Sequence, residues 1–288
     1  MRLLDTNIHY LYMGDSIMIT EEKEYKGIFY NIYNGGGHRR DEIAKFIRRK
    51  EFSFAAFSEL NTFSKKTFEE WAATELELKY AEFLETPHGF HLGVASRHKL
   101  HLIKKNVDIP MHHGYIIVWI EYLDVYVLVT HLCPTTVLQR LDEAKHIVNE
   151  LLSLDLAKKP LMIVGDLNTL SSRDNLSNDA FKLLASNPNL KAKFLRDDQE
   201  GHLSVDFRPM DCLLQELVDI GNPNDYSVPT KIIEDKMHAT QMRLDYCLVS
   251  KALLNAGKGR MHSKTIRSGE TDELSDHYPL EITFNISK

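Results

Sequence analysis

The chain has 288 residues, 43% hydrophobic and 26% charged, with a formal net charge of −6. This balance fits one large globular domain with a sizeable core and excludes a low-complexity chain or one coated in positive potential. Three cysteines, Cys133, Cys212 and Cys247, show neither disulfide nor zinc-like spacing and are expected to be reduced structural thiols. The N-terminal Met1-Arg2-Leu3-Leu4-Asp5-Thr6-Asn7 lacks a sustained apolar stretch, and the most apolar segment, 114–132, is interrupted by Glu121 and Asp124. No leader and no membrane anchor is therefore expected, and the chain is expected to work inside the cell, in the cytoplasm.

Strand-length apolar runs alternate with helix-like stretches, the pattern of an α/β protein. Residues 1–25 are expected to form an extension packed on a single domain of residues 26–288. Residues 28–32 read as a strand that breaks at Asn34-Gly35-Gly36-Gly37, followed by a helix over 41–49 with Ile43, Phe46 and Ile47 on one face. A strand over 52–57 delivers Glu59 at its end, and 67–80 looks helical. Residues 94–96, 115–122 and 125–130 read as strands, the last two a hairpin turning at Leu123-Asp124. A helix over 136–152 buries Val137, Leu141, Ala144, Ile147, Val148 and Leu151, with Thr135 or Thr136 as its cap. Residues 161–164 form a short, wholly apolar strand of the kind buried on both faces. Helices are expected over 178–186 and 210–217, loop-rich insertions over 187–204 and 221–236, and closing strands over 244–249 and 280–285.

Three segments carry chemistry: Gly165-Asp166-Leu167-Asn168, Arg243-Leu244-Asp245-Tyr246 and Ser275-Asp276-His277. Each alone is short and turn-like. Together, in this order, they can gather carboxylates, an amide and an imidazole around one phosphate. Glycine before Asp166 permits a sharp turn, and residues two apart in extended chain face the same way, so Asp166 and Asn168 can share a cleft. Two basic runs, His38-Arg39-Arg40 leading to Arg48-Arg49-Lys50, and Lys258, Arg260, His262, Lys264 and Arg267, read either as solvated faces or as a rim that tracks phosphates. His98, His101, His112 and His113 lack partners at zinc-ligand spacing and read as ordinary loop or surface residues.

With Asn31 in Tyr-Asn-Ile, Glu59 in Ser-Glu-Leu-Asn, Gly93-Val94-Ala95-Ser96-Arg97 and Thr130-His131-Leu132 added, seven motifs stand in the order of one family. From about Ile28 to Leu280 the chain resembles the endonuclease/exonuclease/phosphatase superfamily, whose fold is deoxyribonuclease I-like. The resemblance implies an α/β four-layer sandwich of two mixed β-sheets flanked by helices, with the site at the sheet ends. It also implies a phosphoric ester hydrolase that uses Mg²⁺, for which Mn²⁺ can substitute, and in-line attack by an activated water.

Within that expectation Glu59 is the metal ligand, since a hard carboxylate suits Mg²⁺, with Asn31 completing or orienting the shell and Asp276 beside it. Asp166 orients or deprotonates the water, Asn168 and His131 donate to the phosphate, and His277 stabilises developing charge with Asp245 fixing its tautomer. His91, Arg39 and Arg40 are candidate substrate contacts. His91 stands where the apurinic-site endonucleases of the superfamily carry a tyrosine, and those enzymes usually lack Thr-His-Leu, so abasic-site repair is disfavoured. The Trp-Cys-Asp-Arg segment of inositol polyphosphate phosphatases is replaced by Met242-Arg243-Leu244-Asp245. A nucleic acid is the expected substrate. The alternatives are a phospholipid, as in sphingomyelinases, a small phosphoester, or a catalytically inactive nucleic-acid-binding relative.

Overall fold

A computed structural model describes residues 7–13, 16–197, 200–232, 238–257 and 259–287. Strand β1 (Asn7–Met13) pairs antiparallel with the first half of the long β2 (Ser16–Asn31). Then come α1 (Arg40–Lys50), β3 (Phe54–Ser58), α2 (Lys65–Thr74), β4 (Tyr80–Leu84) and β5 (Leu92–Ser96). The next group is β6 (Leu100–Asn106), β7 (Tyr115–Ile120), β8 (Val125–His131), α3 (Val137–Ser153) and β9 (Leu161–Asp166). A peripheral stretch follows with α4 (Asn178–Ser186), α5 (Pro188–Phe194), β10 (Leu195–Asp197), β11 (Leu203–Val205), α6 (Arg208–Leu213) and β12 (Leu217–Asp219). The chain closes with β13 (Asp245–Ser250), α7 (Lys251–Ala256), β14 (Met261–Thr265) and β15 (Leu280–Ser287).

One sheet has the order β14-β15-β2-β3-β5-β4, with β1 on β2, and the other β12-β13-β9-β8-β7-β6. Each is mixed: β2 runs parallel to β3 and β8 parallel to β9, while their other pairings are antiparallel. Strand alternation sends neighbours to opposite faces and so builds the layers. Phe29, Phe54, Ala56 and Val94 face inward against Ile116, Val118, Val127, Val129, Met162 and Val164 of the second sheet. Ile28, Tyr30, Ala55 and Phe57 face outward onto Ile43, Phe46 and Ile47 of α1 and Phe68 and Trp71 of α2. On the far side Ile117, Leu128, Ile163 and Leu248 receive Ala144, Ile147 and Leu151 of α3 and Met210 and Leu213 of α6. The result is the expected α/β four-layer sandwich.

The structure differs from the sequence expectation where tertiary pairing overrides local pattern. The helix expected over 67–80 ends at Thr74, and Tyr80–Leu84 pairs with β5 instead. The helix expected over 210–217 is Arg208–Leu213, and Leu217–Asp219 turns into an edge strand on β13. Residues 187–204, read as loop, hold α5, capped by Asn187 with Pro188 in its first turn, and the β10–β11 ladder; 198 and 199 lie outside the described residues. Strand β6 was not anticipated because its Lys104, Lys105 and Asn106 give it the polar face of a protected sheet edge. Within 221–236, residues 233–236 lie outside the described residues, as does Lys258 of the second basic run. All three cysteines are free, Cys133 and Cys247 fully buried. Among the described residues, no helix is long and apolar enough to cross a membrane.

Candidate active site

The two parallel pairings bring the C-terminal ends of four strands to one edge of the sandwich. In the second sheet the register sets His131 beside Asp166 and Asp166 beside Asp245, three buried polar residues in one line. Gly165 makes this possible, because a Cβ there would sit 2.2 Å from the Thr130 carbonyl oxygen of the parallel neighbour. In the first sheet β2 ends at Asn31 opposite Ser58, and Glu59 follows immediately. The Asn31 amide spans the two sheets, donating to Glu59 Oε1 at 3.1 Å and to Asp166 Oδ2 at 3.2 Å. Its Oδ1 accepts the Tyr33 N–H at 3.1 Å, so the amide is oriented from three sides.

Glu59 adopts φ 56°, a left-handed conformation costing a non-glycine residue about 1 kcal/mol or more, and Asn168 does the same at φ 50°. The loop after β2 holds Glu59 in this state: Asn34 N–H donates to Oε2 at 3.1 Å and Gly35 N–H to the Glu59 carbonyl at 2.7 Å. Gly35, at φ 68°, packs so closely that a Cβ would lie 1.9 Å from the Asn61 carbonyl oxygen. The glycine run therefore serves close packing onto the Glu59 loop.

Ser275 joins the third motif to the first, its Oγ donating to the Asn31 carbonyl at 2.6 Å while accepting the His277 N–H at 3.3 Å. His277 Nδ1 and Asp245 Oδ2 are 2.7 Å apart, and the imidazole Nε2 lies 3.6 Å from Asp166 Oδ2. Burial opposes charge on this ring, but Asp245, Asp166 and Asp276 outweigh it and push its pKa up to about 10. The three carboxylates thus favour the charged form of the His277 ring, which Asp245 holds in place. His131 contrasts with it: burial, then the charges of His277 and Lys193, push it down to about 3, so it is neutral, with Nε2 3.4 Å from Asp166 Oδ2. Asn168 N–H donates to Asp166 Oδ1 at 2.9 Å and its Nδ2 to the Leu132 carbonyl at 3.1 Å, which fixes both side chains toward the same cleft.

Burial, and then the nearby charge of Asp276, push the Glu59 carboxyl up to about 7 despite its hydrogen bond from Asn31. A buried carboxylate with a second one nearby suits a hard divalent cation, whose charge would favour the ionised form of both. Two other buried groupings, His238–Asp276–His277 and Asp166–Asp245–His277, could also hold an ion by spacing. Both include His277, whose Nδ1 is engaged by Asp245 at 2.7 Å.

Six of the seven motifs read from sequence therefore meet at one edge; the seventh, Gly93-Val94-Ala95-Ser96-Arg97, runs along β5 to the other end of β3, where the Arg97 N–H donates to the Ser53 carbonyl at 3.0 Å. The three substrate-contact candidates, His91, Arg39 and Arg40, each make hydrogen bonds within the protein. Arg39 donates to the Leu274 carbonyl at 2.5 Å and the Tyr33 carbonyl at 2.9 Å, and Arg40 to the Gly35 carbonyl at 3.1 Å and Thr62 Oγ1 at 3.0 Å, so both brace the loops around the site. His91 Nδ1 accepts the Thr86 N–H at 3.0 Å with its ring edge-on to Phe83. His113, expected to be an ordinary loop residue, is buried and stacked on His131 at 4.4 Å between ring centres. Sequence reasoning also missed His238, Lys193, Ser227 and Thr230. Ser227 Oγ accepts the Leu244 and Asp245 N–H groups, and Thr230 Oγ1 donates to the Ser275 carbonyl at 2.7 Å. These residues lie in segments read as loops, where no periodicity marks an inward side chain.

Carboxylates, an amide and an imidazole thus gather at one edge of the sandwich, a set of groups of the kind phosphoester hydrolysis uses. A family model described as "Endonuclease/Exonuclease/phosphatase family" matches residues 28–277, and the chain belongs to that family. An AP endonuclease from Archaeoglobus fulgidus shares the fold with a TM-score of 0.63 at 15% identity, covering 90% of this chain and 99% of that one. A 3'-5' exonuclease from Neisseria meningitidis gives 0.62 at 16% identity over 90% and 99%. A mannosyl-6-phosphatase from Bacteroides thetaiotaomicron gives 0.53 at 15% identity over 90% and 98%. No curated protein sequence matches the chain.

Proposed function

We propose that the protein is a Mg²⁺-dependent phosphodiesterase that hydrolyses nucleic-acid phosphodiester bonds by in-line attack of an activated water. The observation that carries this reading is the line His131–Asp166–Asp245 across the second sheet, closed by His277 on Asp245 and joined through Asn31 to Glu59. A phosphodiester is a poor electrophile, so catalysis must neutralise its charge, orient the water and assist the leaving oxygen. Glu59 and Asp276 would hold the divalent ion, which supplies Lewis-acid neutralisation of the phosphoryl charge when bound. Asp166 orients and deprotonates the water; the Asn31 amide and the Asn168 N–H fix its carboxylate. The His277 imidazolium donates to a non-bridging phosphoryl oxygen, and Asp245 keeps it charged and aligned. Neutral His131 and the Asn168 amide donate to the same phosphate from the side of the second sheet. Arg39 and Arg40 support the site indirectly, through the loops they brace.

The nucleic-acid assignment draws on nuclease relatives of the same fold, and the sugar phosphatase among them marks small phosphoesters as the competing class. Initial rates on end-labelled DNA and RNA oligonucleotides, a sugar phosphate and sphingomyelin vesicles, with and without Mg²⁺, separate the classes. The expected result is metal-dependent cleavage of an oligonucleotide above all others. Exclusive turnover of the sugar phosphate or the lipid would overturn the substrate assignment, and no turnover of any would overturn the hydrolase reading.

A further inference from the structure

Beside the catalytic edge stands a buried histidine that the mechanism leaves unused. His113 is 1% exposed and lies against His131, their ring centres 4.4 Å apart and their planes 28° from parallel. It is held in turn by His112, edge to face with ring centres 4.4 Å apart, and by Phe90 at 5.1 Å. The β7–β8 ladder ends at Tyr115 and Thr130, and two further contacts bring the pair of rings together. Thr130 Oγ1, next to His131, donates at 2.9 Å to the carbonyl of Gly114, next to His113. Glu143 of α3 spans the same two segments, accepting the His112 N–H at Oε1 and the Cys133 N–H at Oε2, both at 2.7 Å. Burial, and then the neighbouring imidazoles, push His113 far below the usual histidine range, so the stack favours two neutral rings.

We infer that His113 is a positioning residue for His131, its flat ring holding the His131 imidazole in the plane from which Nε2 donates to the bound phosphate. The inference rests on the phosphoesterase reading and adds a residue to it. A histidine that must present one ring nitrogen is usually oriented by a hydrogen bond at the other, as Asp245 orients His277 at 2.7 Å. His131 lacks that device, because its Nδ1 is buried with no hydrogen-bond partner among the described residues. Its Nε2 lies 3.4 Å from Asp166 Oδ2, and the carboxylate favours the proton on that nitrogen. The plane of the ring is then set by packing, and His113 supplies the face on which it lies. His113 Nδ1 is likewise buried without a partner, so what it offers His131 is the face of its ring. An aliphatic side chain could fill the same space but would give the imidazole no flat surface to lie on.

The test compares wild type with His113→Phe, His113→Leu, His131→Ala and the His113→Leu/His131→Ala double variant in Mg²⁺, after thermal unfolding confirms the fold. The substrate is whichever phosphoester the wild type cleaves. A misplaced catalytic group costs up to about 100-fold in rate. His113→Leu should therefore lower kcat roughly 10- to 100-fold with KM little changed, while His113→Phe keeps most of the rate. With His131 already removed, the leucine substitution should cost little more. A His113→Leu protein with wild-type kcat would overturn the assignment, as would an equal loss in the presence and absence of His131, which marks a packing role. A second measurement needs no turnover: NMR of ¹⁵N-labelled histidine, with the His131 signals identified by their loss in His131→Ala, reads the tautomer of His131. The expected result is a single Nε2-protonated tautomer in wild type and His113→Phe, and a mixture in His113→Leu. A mixture in wild type would overturn the assignment even if the leucine variant does not fold. A wild type that cleaves nothing, yet loses its single tautomer in His113→Leu, would remove the hydrolase reading and keep the positioning.

Discussion

Replacing Asp245 by asparagine separates a catalytic carboxylate from a structural one. Asp245 and His277 are 1% and 2% exposed and 2.7 Å apart, so their attraction at an effective dielectric constant of about 20 is on the order of 6 kcal/mol before desolvation is counted. Losing one partner of a buried pair typically costs about 3–5 kcal/mol. Here stability should fall by less, because His277 can shed its proton and the substitution removes one of the carboxylates crowding Asp166. The transition state has no such escape: without a fixed imidazolium the phosphoryl charge loses its donor. A loss of about 3–5 kcal/mol there corresponds to roughly 10²- to 10⁴-fold in rate. Single-turnover rates at saturating Mg²⁺ should show that loss, while the thermal midpoint moves by only a few degrees. A wild-type rate in a folded variant would refute the role given to the pair. A variant that does not fold would make Asp245 a structural residue instead.

Two further outcomes follow from other parts of the site. Glu59→Gln should raise the Mg²⁺ concentration needed for half-maximal activity and recover part of its rate at high Mg²⁺; an unchanged Mg²⁺ dependence would take Glu59 out of the metal shell. Glu143 concerns stability: its Oε1 accepts the His112 N–H and its Oε2 the Cys133 N–H, both at 2.7 Å, yet burial pushes the carboxyl up to about 7. A carboxyl raised above its unfolded value favours the folded state fully below the ordinary glutamate range, and that contribution is lost as pH rises through 7. From 4.5 to 7 the change amounts to about 3 kcal/mol. The urea midpoint should fall over this window, and Glu143→Gln, less stable overall because its NH₂ meets one of the two backbone donors, should fall less steeply. Equal slopes in the two proteins would contradict the assignment.

Much of this site is legible in the sequence because its residues sit at the ends of strongly apolar strands. Asp166 ends a strand buried on both faces, and Asp245 opens another; Asn31 ends β2 and Glu59 directly follows β3. Strand register then aligns them automatically. The hydrophobic stripe of α3 gives its boundaries almost to the residue, with Thr136 as the observed cap. What the sequence hides is everything fixed by loops. Lys193 falls in a stretch read as loop and Arg140 looks like a solvated charge on a helix, and only the close approach of α5 to Cys133 reveals that both are buried. His113 and His238 carry no spacing signal, since their neighbours in space come from strands and turns far away in the chain. Nor does the sequence show that Arg39 and Arg40, a basic pair beside a glycine run, also donate to the loops around them, to the Leu274, Tyr33 and Gly35 carbonyls and to Thr62 Oγ1.

The most direct test of the account is single-turnover cleavage of an end-labelled oligonucleotide in Mg²⁺ by wild type and Asp166→Asn, with substrate affinity measured on the same preparations. Asp166 is the residue on which Asn31, His131, Asn168 and His277 all converge. The account predicts that the substitution lowers the cleavage rate by about 10²- to 10⁴-fold, while affinity stays equal or tightens as a negative charge leaves the site. Wild-type turnover by the Asp166→Asn protein would contradict it.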